Sequence, residues 1–170
     1  GRLPVTFYAS TSDLPAFTDY SLKNRTYRYY TGKPLWGFGY GLSYSTFQYG
    51  PVKLSSASVP AGNPVTATVT VTNNSKVAGD EVVETYLKTP QIDGPIYSLV
   101  GFQRVHLNPG QSRDVSLELS PRSLSAVDGK GQRSILPGTY HLSIGSTQPA
   151  ETASKSEADF TVNGIVALPK

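Results

Sequence analysis

Cysteine and methionine are both absent from the 170 residues, and charged residues make up only 16% of the chain. Without cysteine, disulfides and thiolate metal sites are excluded. No apolar run approaches the roughly 20 residues that a membrane-spanning helix needs, and no signal-peptide pattern is visible at Gly1. Because the chain starts at Gly1 without methionine, we expect it to be a processed or excised part of a longer polypeptide.

Positive charge is also scarce, and it is unevenly placed. The net charge is +3, and residues 1–50 account for all of it, with five basic and two acidic side chains. The other 120 residues carry ten of each sign. Proteins that bind nucleic acid usually present dense Lys/Arg faces. We therefore predict neither a nucleic-acid partner nor a membrane partner.

Aromatic residues are abundant, and they are concentrated at the beginning of the chain. Thirteen of the eighteen lie within residues 1–50, many of them in "PLWGFGYGLSYSTFQYG" at 34–50. Residues 1–8 predict one short strand with Val5 and Phe7 on the same side. The segment that follows has no sustained period, so we expect it to lie against a surface that buries it. We interpret residues 1–46 as an aromatic-rich connector arm.

From Phe47 onward the sequence changes to alternating apolar and polar residues. Such alternation is typical of half-buried antiparallel strands. Turn signals such as "PAGNP", "NPG" and "PG" separate the alternating segments. About seven strands over 47–170 predict an all-β chain, an immunoglobulin-like or fibronectin type III-like β-sandwich, with no substantial helix. The seven segments are 51–59, 65–74, 80–89, 99–107, 113–120, 139–146 and 158–164.

Tyr140 stands at the entry to a late strand, directly after "PGT". Sandwiches of this type often carry a tyrosine there whose hydroxyl binds nearby backbone. An ordinary core tyrosine is the alternative. Both interpretations are compatible with the predicted fold.

Histidines and carboxylates give no convincing catalytic or metal site. His106 and His141 each alternate with apolar strand residues, so we expect both on solvated faces. The acidic group Asp80, Glu81 and Glu84 shares one strand and is likewise interpreted as a solvated face. Asp13 and Asp19, in the aperiodic arm, cannot be paired from sequence. We predict no catalytic residue, no metal site and no cofactor.

The glycines of "GFGYG" at 37–41 lack the spacing and the lysine of a phosphate-binding loop. We interpret them as positions where bulky aromatic residues turn and pack closely.

Four segments in the same order resemble glycoside hydrolase family 3, the β-glucosidase and β-xylosidase family. The first is Phe38–Phe47, "FGYGLSYSTF", which resembles the segment before that family's C-terminal domain. The others are "VTNNSKVAGDEVVETYLKTP" at 71–90, the stretch 99–128 and "LPGTYHLSIGSTQ" at 136–148. Gln111 departs from the family's more usual glutamate. The resemblance extends over essentially the whole chain.

This resemblance implies a C-terminal fibronectin type III-like module whose arm begins with the last strand of a preceding α/β domain. The family's catalytic nucleophile lies in an N-terminal barrel, and Ser12-Asp13 does not match its motif. The family's acid/base Glu belongs to the preceding parts too. The chain is therefore expected to be no enzyme on its own, and to pack on and stabilise the barrel and α/β domains of its parent. Location with a periplasmic or extracellular parent is implied.

Two functions remain open for the aromatic residues of the arm. In the first they form an interdomain joint built from Trp36, Phe38, Tyr40, Tyr44 and Phe47. In the second the chain is an independent carbohydrate- or surface-binding module with Trp36, Tyr40 and Tyr44 as candidate sugar-stacking rings. Exposed aromatic residues also predict self-association of the isolated chain.

Overall fold

The structure of the protein is a computed structural model that describes residues 1–149 and 154–169. Within these residues, helix is limited to a 3-10 turn at Thr11–Asp13 and to α1 (Thr26–Tyr29). The strands of the described residues are β1 (Phe47–Tyr49), β2 (Lys53–Leu54), β3 (Ser58–Pro60), β4 (Val65–Asn73), β5 (Gly79–Lys88), β6 (Ser98–Leu107), β7 (Ser112–Leu119), β8 (Ala126–Val127), β9 (Arg133–Ile135), β10 (Gly138–Gly145), β11 (Lys155–Asn163) and β12 (Val166–Leu168).

Two sheets form the body of the chain. In one, β4 pairs with β7 along one edge and with β1 and β2 along the other. The second has the order β3-β11-β10-β5-β6, and all of its pairs are antiparallel except β3 with β11. A small third sheet joins β12, β9 and β8. The prediction of an all-β sandwich is confirmed.

The core lies between the inward faces of the two large sheets. In β4 every second residue is fully buried, from Val65 to Val71, while the threonines between them lie on the other face. Val83 and Leu87 of β5 are buried in the same cluster. Burying one such aliphatic side chain contributes about 1.5–3 kcal/mol. The alternation in the sequence therefore supplies the main stabilisation of the fold.

Six of the seven predicted strand segments correspond to single strands. The segment 51–59 differs, because a bend at residues 55–57 divides it into β2 and β3. The four shortest additional strands, β1, β8, β9 and β12, have two or three residues each, too few to show a period.

The prediction of a short strand over residues 1–8 was wrong. Only an isolated bridge between Phe7 and Trp36 is present; in addition, the Leu3 amide donates to the Tyr40 carbonyl oxygen and the Gly39 amide donates to the Leu3 carbonyl oxygen. Pro4 has no amide hydrogen to add a rung between these two points. The segment still lies antiparallel to residues 35–40.

Tyr140 forms the backbone contact that the sandwich interpretation predicts. Its side chain is fully buried, and its hydroxyl donates to the carbonyl oxygen of Leu136 at 2.9 Å. The amide of Leu136 in turn donates to that hydroxyl at 3.3 Å. The hydroxyl thus ties the entry of β10 to the chain just before it.

The alternation in the sequence predicts six buried core residues, Val69, Val71, Leu117, Leu142, Ile144 and Phe160, and all but one of them are buried. Leu117 is only half-buried, although it packs against the core. It lies on β7, which among the described strands pairs with β4 alone, so no other strand described lies beside β7 in that sheet. The buried members of the predicted set are Val69, Val71, Leu142, Ile144 and Phe160.

Candidate interdomain joint

Backbone hydrogen bonds fasten residues 34–46 of the arm, called the connector from here on, to the sandwich at Phe38. Its carbonyl oxygen accepts from the hydroxyl of Thr147 at 2.8 Å and from the amide of Gln148 at 3.1 Å. Its own amide donates to the Gln148 side-chain oxygen at 3.1 Å. Both partners are buried just after β10. Position 38 is therefore held by three hydrogen bonds to residues more than a hundred positions away in the chain.

A stack of aromatic rings covers the outer face of β5 at the same place. The ring of Tyr27 lies 4.5 Å from that of Phe38 and 5.8 Å from that of Tyr86. The hydroxyl of Tyr27 accepts from the amide of Leu99, at 3.0 Å. Offset and edge contacts of this kind add about 0.5–1.5 kcal/mol beyond area burial. The arm is thus packed on the sandwich through α1 as well as through the connector.

Gly39 is buried because the connector passes very close to β5. Its φ of +81° lies in the left-handed region that favours glycine. A Cβ there would overlap the Oε2 atom of Glu84 and come within 2.9 Å of the Thr147 Cα. The interpretation of the "GFGYG" glycines as close-packing positions is confirmed at Gly39.

Glu81 is almost completely buried and is the centre of a charged cluster. The Arg2 guanidinium donates to both of its oxygens, at 2.8 and 2.7 Å. The Tyr49 hydroxyl donates to Oε1 at 2.7 Å. Burial raises the pKa of Glu81, while the Arg2 charge and these hydrogen bonds act in the opposite direction. Residue 2 is thereby fixed to β5 by a bidentate ion pair.

Glu84 is the second buried carboxylate of β5. The Tyr86 hydroxyl donates to its Oε2 atom at 2.5 Å. Burial raises the pKa of Glu84, more than that hydrogen bond lowers it. Burial also raises the pKa values of the phenols of Tyr49 and Tyr86. These carboxylates are held in packed positions rather than in an open cleft.

The prediction that Asp80, Glu81 and Glu84 form a solvated face was wrong for the two glutamates and correct for Asp80. Glu81 has the same strand parity as Val83 and points into the sandwich, whereas Glu84 points outward under the connector. Asp80 is exposed and pairs with Arg104 and His106. Hydrogen bonds to the Arg104 and His106 side chains lower the pKa of Asp80.

The predicted joint residues lie on two sides of the connector. Phe47 is buried in the core and Phe38 is half-buried against the sandwich. Trp36 is 42% exposed, with its ring 5.5 Å from Phe7 and 6.3 Å from Tyr40. Tyr44 is 97% exposed. The structure therefore separates a sandwich-facing set from an outward-facing one.

Other polar groups that could take part in catalysis make hydrogen bonds or ion pairs with neighbouring residues. His106 contacts Asp80 at 2.6 Å and His141 contacts Asp159 at 2.8 Å, both on exposed faces, as predicted. The Asp13 carboxylate accepts from the amide of Ser10, and the Asp19 carboxylate accepts from the amide of Ser21. Over residues 1–149 and 154–169 there is no cluster of three metal-ligand side chains.

Comparisons with known proteins agree with this architecture. Residues 81–148 match the model of the fibronectin type III-like domain. A xylan 1,4-β-xylosidase of Xylanibacter ruminicola is 38% identical over 86% of this chain and 17% of its own length. A periplasmic β-glucosidase of Salmonella typhimurium is 33% identical over 85% of this chain and 21% of its own length. The structure of β-glucosidase 3B from Thermotoga neapolitana superposes with a TM-score of 0.87 and 30% identity, covering 100% of this chain and 25% of that one.

The fold and the matched model together define a fibronectin type III-like β-sandwich preceded by a connector arm. Over most of its length the chain is similar to β-glucosidases and β-xylosidases, and the resemblance to glycoside hydrolase family 3 seen in the sequence is confirmed. It spans between about a sixth and a quarter of the length of these relatives. None of the helices described is long and apolar enough to cross a membrane.

Proposed function

We propose that this chain is a non-catalytic structural module of a β-glycosidase, which packs on the catalytic domains and stabilises them. The observation that carries the proposal is the two-sided connector. One side is fixed to the sandwich through Phe38 and the Arg2–Glu81 ion pair. The other side presents Leu42 and Tyr44, which are 84% and 97% exposed.

The rest of the arm has the same outward character. Phe17 and Tyr20 are 94% and 91% exposed, and Leu14 and Leu22 are about half exposed. Large exposed apolar patches are uncommon on soluble monomers and mark interaction sites. Because the relatives are about four to five times longer than this chain, the natural occupant of this surface is the polypeptide of the parent enzyme.

Within this proposal residues 1–46 are the connector arm and residues 47–170 the sandwich. The arm holds its own position by contacts to β5, to Leu99 of β6 and to residues 147–148 just after β10, and it offers its outer side to the α/β and barrel domains. The periplasmic β-glucosidase among the relatives supports a periplasmic or extracellular location for such a parent. The parent's activity is proposed to be β-glucoside or β-xyloside hydrolysis.

A first test uses the isolated 170-residue chain with aryl β-glucosides and β-xylosides. We expect no turnover, because we propose that the catalytic carboxylates belong to the preceding domains of the parent enzyme. Turnover that disappears in Asp13→Asn or Asp19→Asn variants would contradict the proposal. An active β-glucosidase and an active β-xylosidase, assayed in parallel, are the positive controls for the substrates.

Polysaccharide binding by the exposed aromatic residues is the second candidate, and the almost complete exposure of Tyr44 favours it. The packing of Trp36 argues against a flat sugar-binding platform, because its ring lies edge-on to Phe7 and is stacked with Tyr40. Titration with xylan and cellulose, followed by Trp36 fluorescence, separates the two functions. Saturable change that is lost in Tyr44→Ala would favour the binding module.

Self-association of the isolated chain follows from the structural proposal, since the outer side is then left uncovered. Sedimentation velocity of the wild type and of a Leu42→Ser/Tyr44→Ser double variant measures it. We expect concentration-dependent association in the wild type and its reduction in the variant. Both proteins should give the same far-ultraviolet circular dichroism, because neither side chain is in the core.

A further inference from the structure

A wide cleft of about 920 Å³ lies away from the connector's fastening points. One wall is formed by the end of α1 and the loop 89–95, and the other by the segment 120–133. Ligand sites for small molecules commonly measure about 300–1,000 Å³. The cleft is therefore large enough for two or three sugar rings.

Hydrogen bonds between and behind these walls hold the cleft in shape. The side-chain amide of Gln91 donates across it to the carbonyl oxygen of Val127, at 3.0 Å. Within the first wall, the carbonyl oxygen of Arg28 accepts from the amide of Ile96 at 2.7 Å, which fixes the end of α1 beside the loop 89–95. Preformed walls reduce the ordering cost of binding.

The charges in the cleft favour an anion. Three arginines and two acidic residues line the cleft, Arg28, Arg122 and Arg133 with Asp93 and Asp128, and Arg133 donates to the Ser125 hydroxyl at 2.9 Å. Asp128 already accepts from two backbone amides of its own turn, at 2.9 and 2.8 Å. Guanidinium groups match carboxylates in a planar, bidentate geometry. The cleft thus has spare cationic donors for a ligand carboxylate.

The remaining lining has the mixed character that suits a sugar. Serine hydroxyls, including that of Ser98, provide donors and acceptors for ligand hydroxyls. The half-buried Tyr29 contributes an aromatic ring, with the Arg28 guanidinium 5.9 Å from its centroid. Sugar rings combine an apolar face with polar hydroxyl edges. An aromatic ring beside hydroxyl groups can contact both parts of a sugar.

We propose that this cleft binds a short acidic oligosaccharide, with a uronate carboxylate held by Arg122 and Arg28 and a sugar ring near Tyr29. The choice of a saccharide rests on the proposed function, because the relatives include a xylosidase that acts on xylan. The preference for an acidic one rests on the cleft's own charge.

The test is calorimetric titration of the full chain with xylotriose and with xylotriose that carries one methylglucuronic acid substituent. We expect the acidic ligand to bind at least about tenfold more tightly in low salt, as one charge-assisted hydrogen-bonded pair provides. Raising sodium chloride to about 300 mM should reduce that preference by screening. Amide shifts in a nitrogen-edited spectrum should move at Ser98 and Ser123.

Variants locate the binding site. Arg122→Ala should weaken binding of the acidic ligand about tenfold, and Arg28→Gln should do the same if Arg122→Ala folds poorly. Arg113→Ala, at the exposed beginning of β7 and outside the cleft, is the matched control and should bind like the wild type. Circular dichroism verifies that each variant is folded.

Three results would overturn the proposal. They are no binding of either ligand, equal affinity for both, and binding of the acidic ligand that is unchanged in both cleft variants. None of these results bears on the structural role of the connector, which is tested by stability and not by ligand binding. Failure of this site and failure of the proposed function are therefore distinguishable.

Discussion

Replacing Arg2 by alanine tests whether the beginning of the chain is an integral part of the sandwich. Arg2 is the cationic partner of Glu81, whose side chain is 1% exposed, while that of Arg2 is 19% exposed. In Arg2→Ala the buried carboxylate keeps the hydrogen bond from Tyr49 and loses two from the guanidinium. An unbalanced buried charge is strongly destabilising.

The expected size of the effect follows from these contacts. Loss of two charge-assisted hydrogen bonds to a buried carboxylate should lower the free energy of unfolding by about 2–3 kcal/mol. This value is at or below the lower end of the range of about 3–5 kcal/mol for broken buried pairs, because the space vacated by a partly exposed arginine admits water to Glu81. The double variant Arg2→Ala/Glu81→Gln should recover part of the loss, since the uncompensated charge is then removed.

Urea denaturation followed by circular dichroism and by Trp36 fluorescence measures these differences. Arg104→Ala is the matched control, because its partner Asp80 is the residue next to Glu81 on β5 but lies on the exposed face. Exposed ion pairs contribute little to stability. An Arg2→Ala variant that is no less stable than Arg104→Ala would refute the reasoning.

Further variants test other parts of the account by the same denaturation assay. Leu142→Ala should lower the free energy of unfolding by about 2–5 kcal/mol, and Leu117→Ala by clearly less, because Leu117 is only half-buried. Tyr140→Phe should lower it by about 1–3 kcal/mol through loss of the hydroxyl's backbone bonds, and an unchanged value would contradict their role. Glu84 has a raised pKa in the folded chain, so its native form binds the proton more tightly than the unfolded form. Relative to Glu84→Gln, wild-type stability should therefore rise as pH falls from neutrality towards the ordinary glutamate value, and a fall would contradict the direction of the shift.

The fold could be predicted from local sequence because each long strand carries its own signal. In β4 the alternation of valine with threonine specifies both the strand and its buried face. Proline and glycine pairs mark most of the turns. Very short strands such as β8 and β9 escaped prediction, because two or three residues cannot display a period and their pairing is decided by tertiary contacts.

The joint was only partly predictable because its partners are distant in sequence. The parity of Glu81 with Val83 and Leu87 indicated an inward carboxylate, and this signal was missed. No local pattern indicated that Arg2, 79 positions away, would neutralise it. Glu84 is buried by the connector and not by the sheet itself, so no strand pattern could place it. Aromatic composition identified the arm, but not which of its rings face outward.

A graft tests the proposed stabilising role most directly. In β-glucosidase 3B of Thermotoga neapolitana, the region that superposes on this chain is replaced by it, and the half-life of β-glucosidase activity at elevated temperature is measured. A second graft carries Leu42→Ser/Tyr44→Ser, which changes the outer side of the connector and leaves the sandwich core intact. The account predicts a longer half-life for the first graft than for the second and for an enzyme that lacks the region. Equal half-lives for the two grafts, with both sandwiches folded, would contradict it.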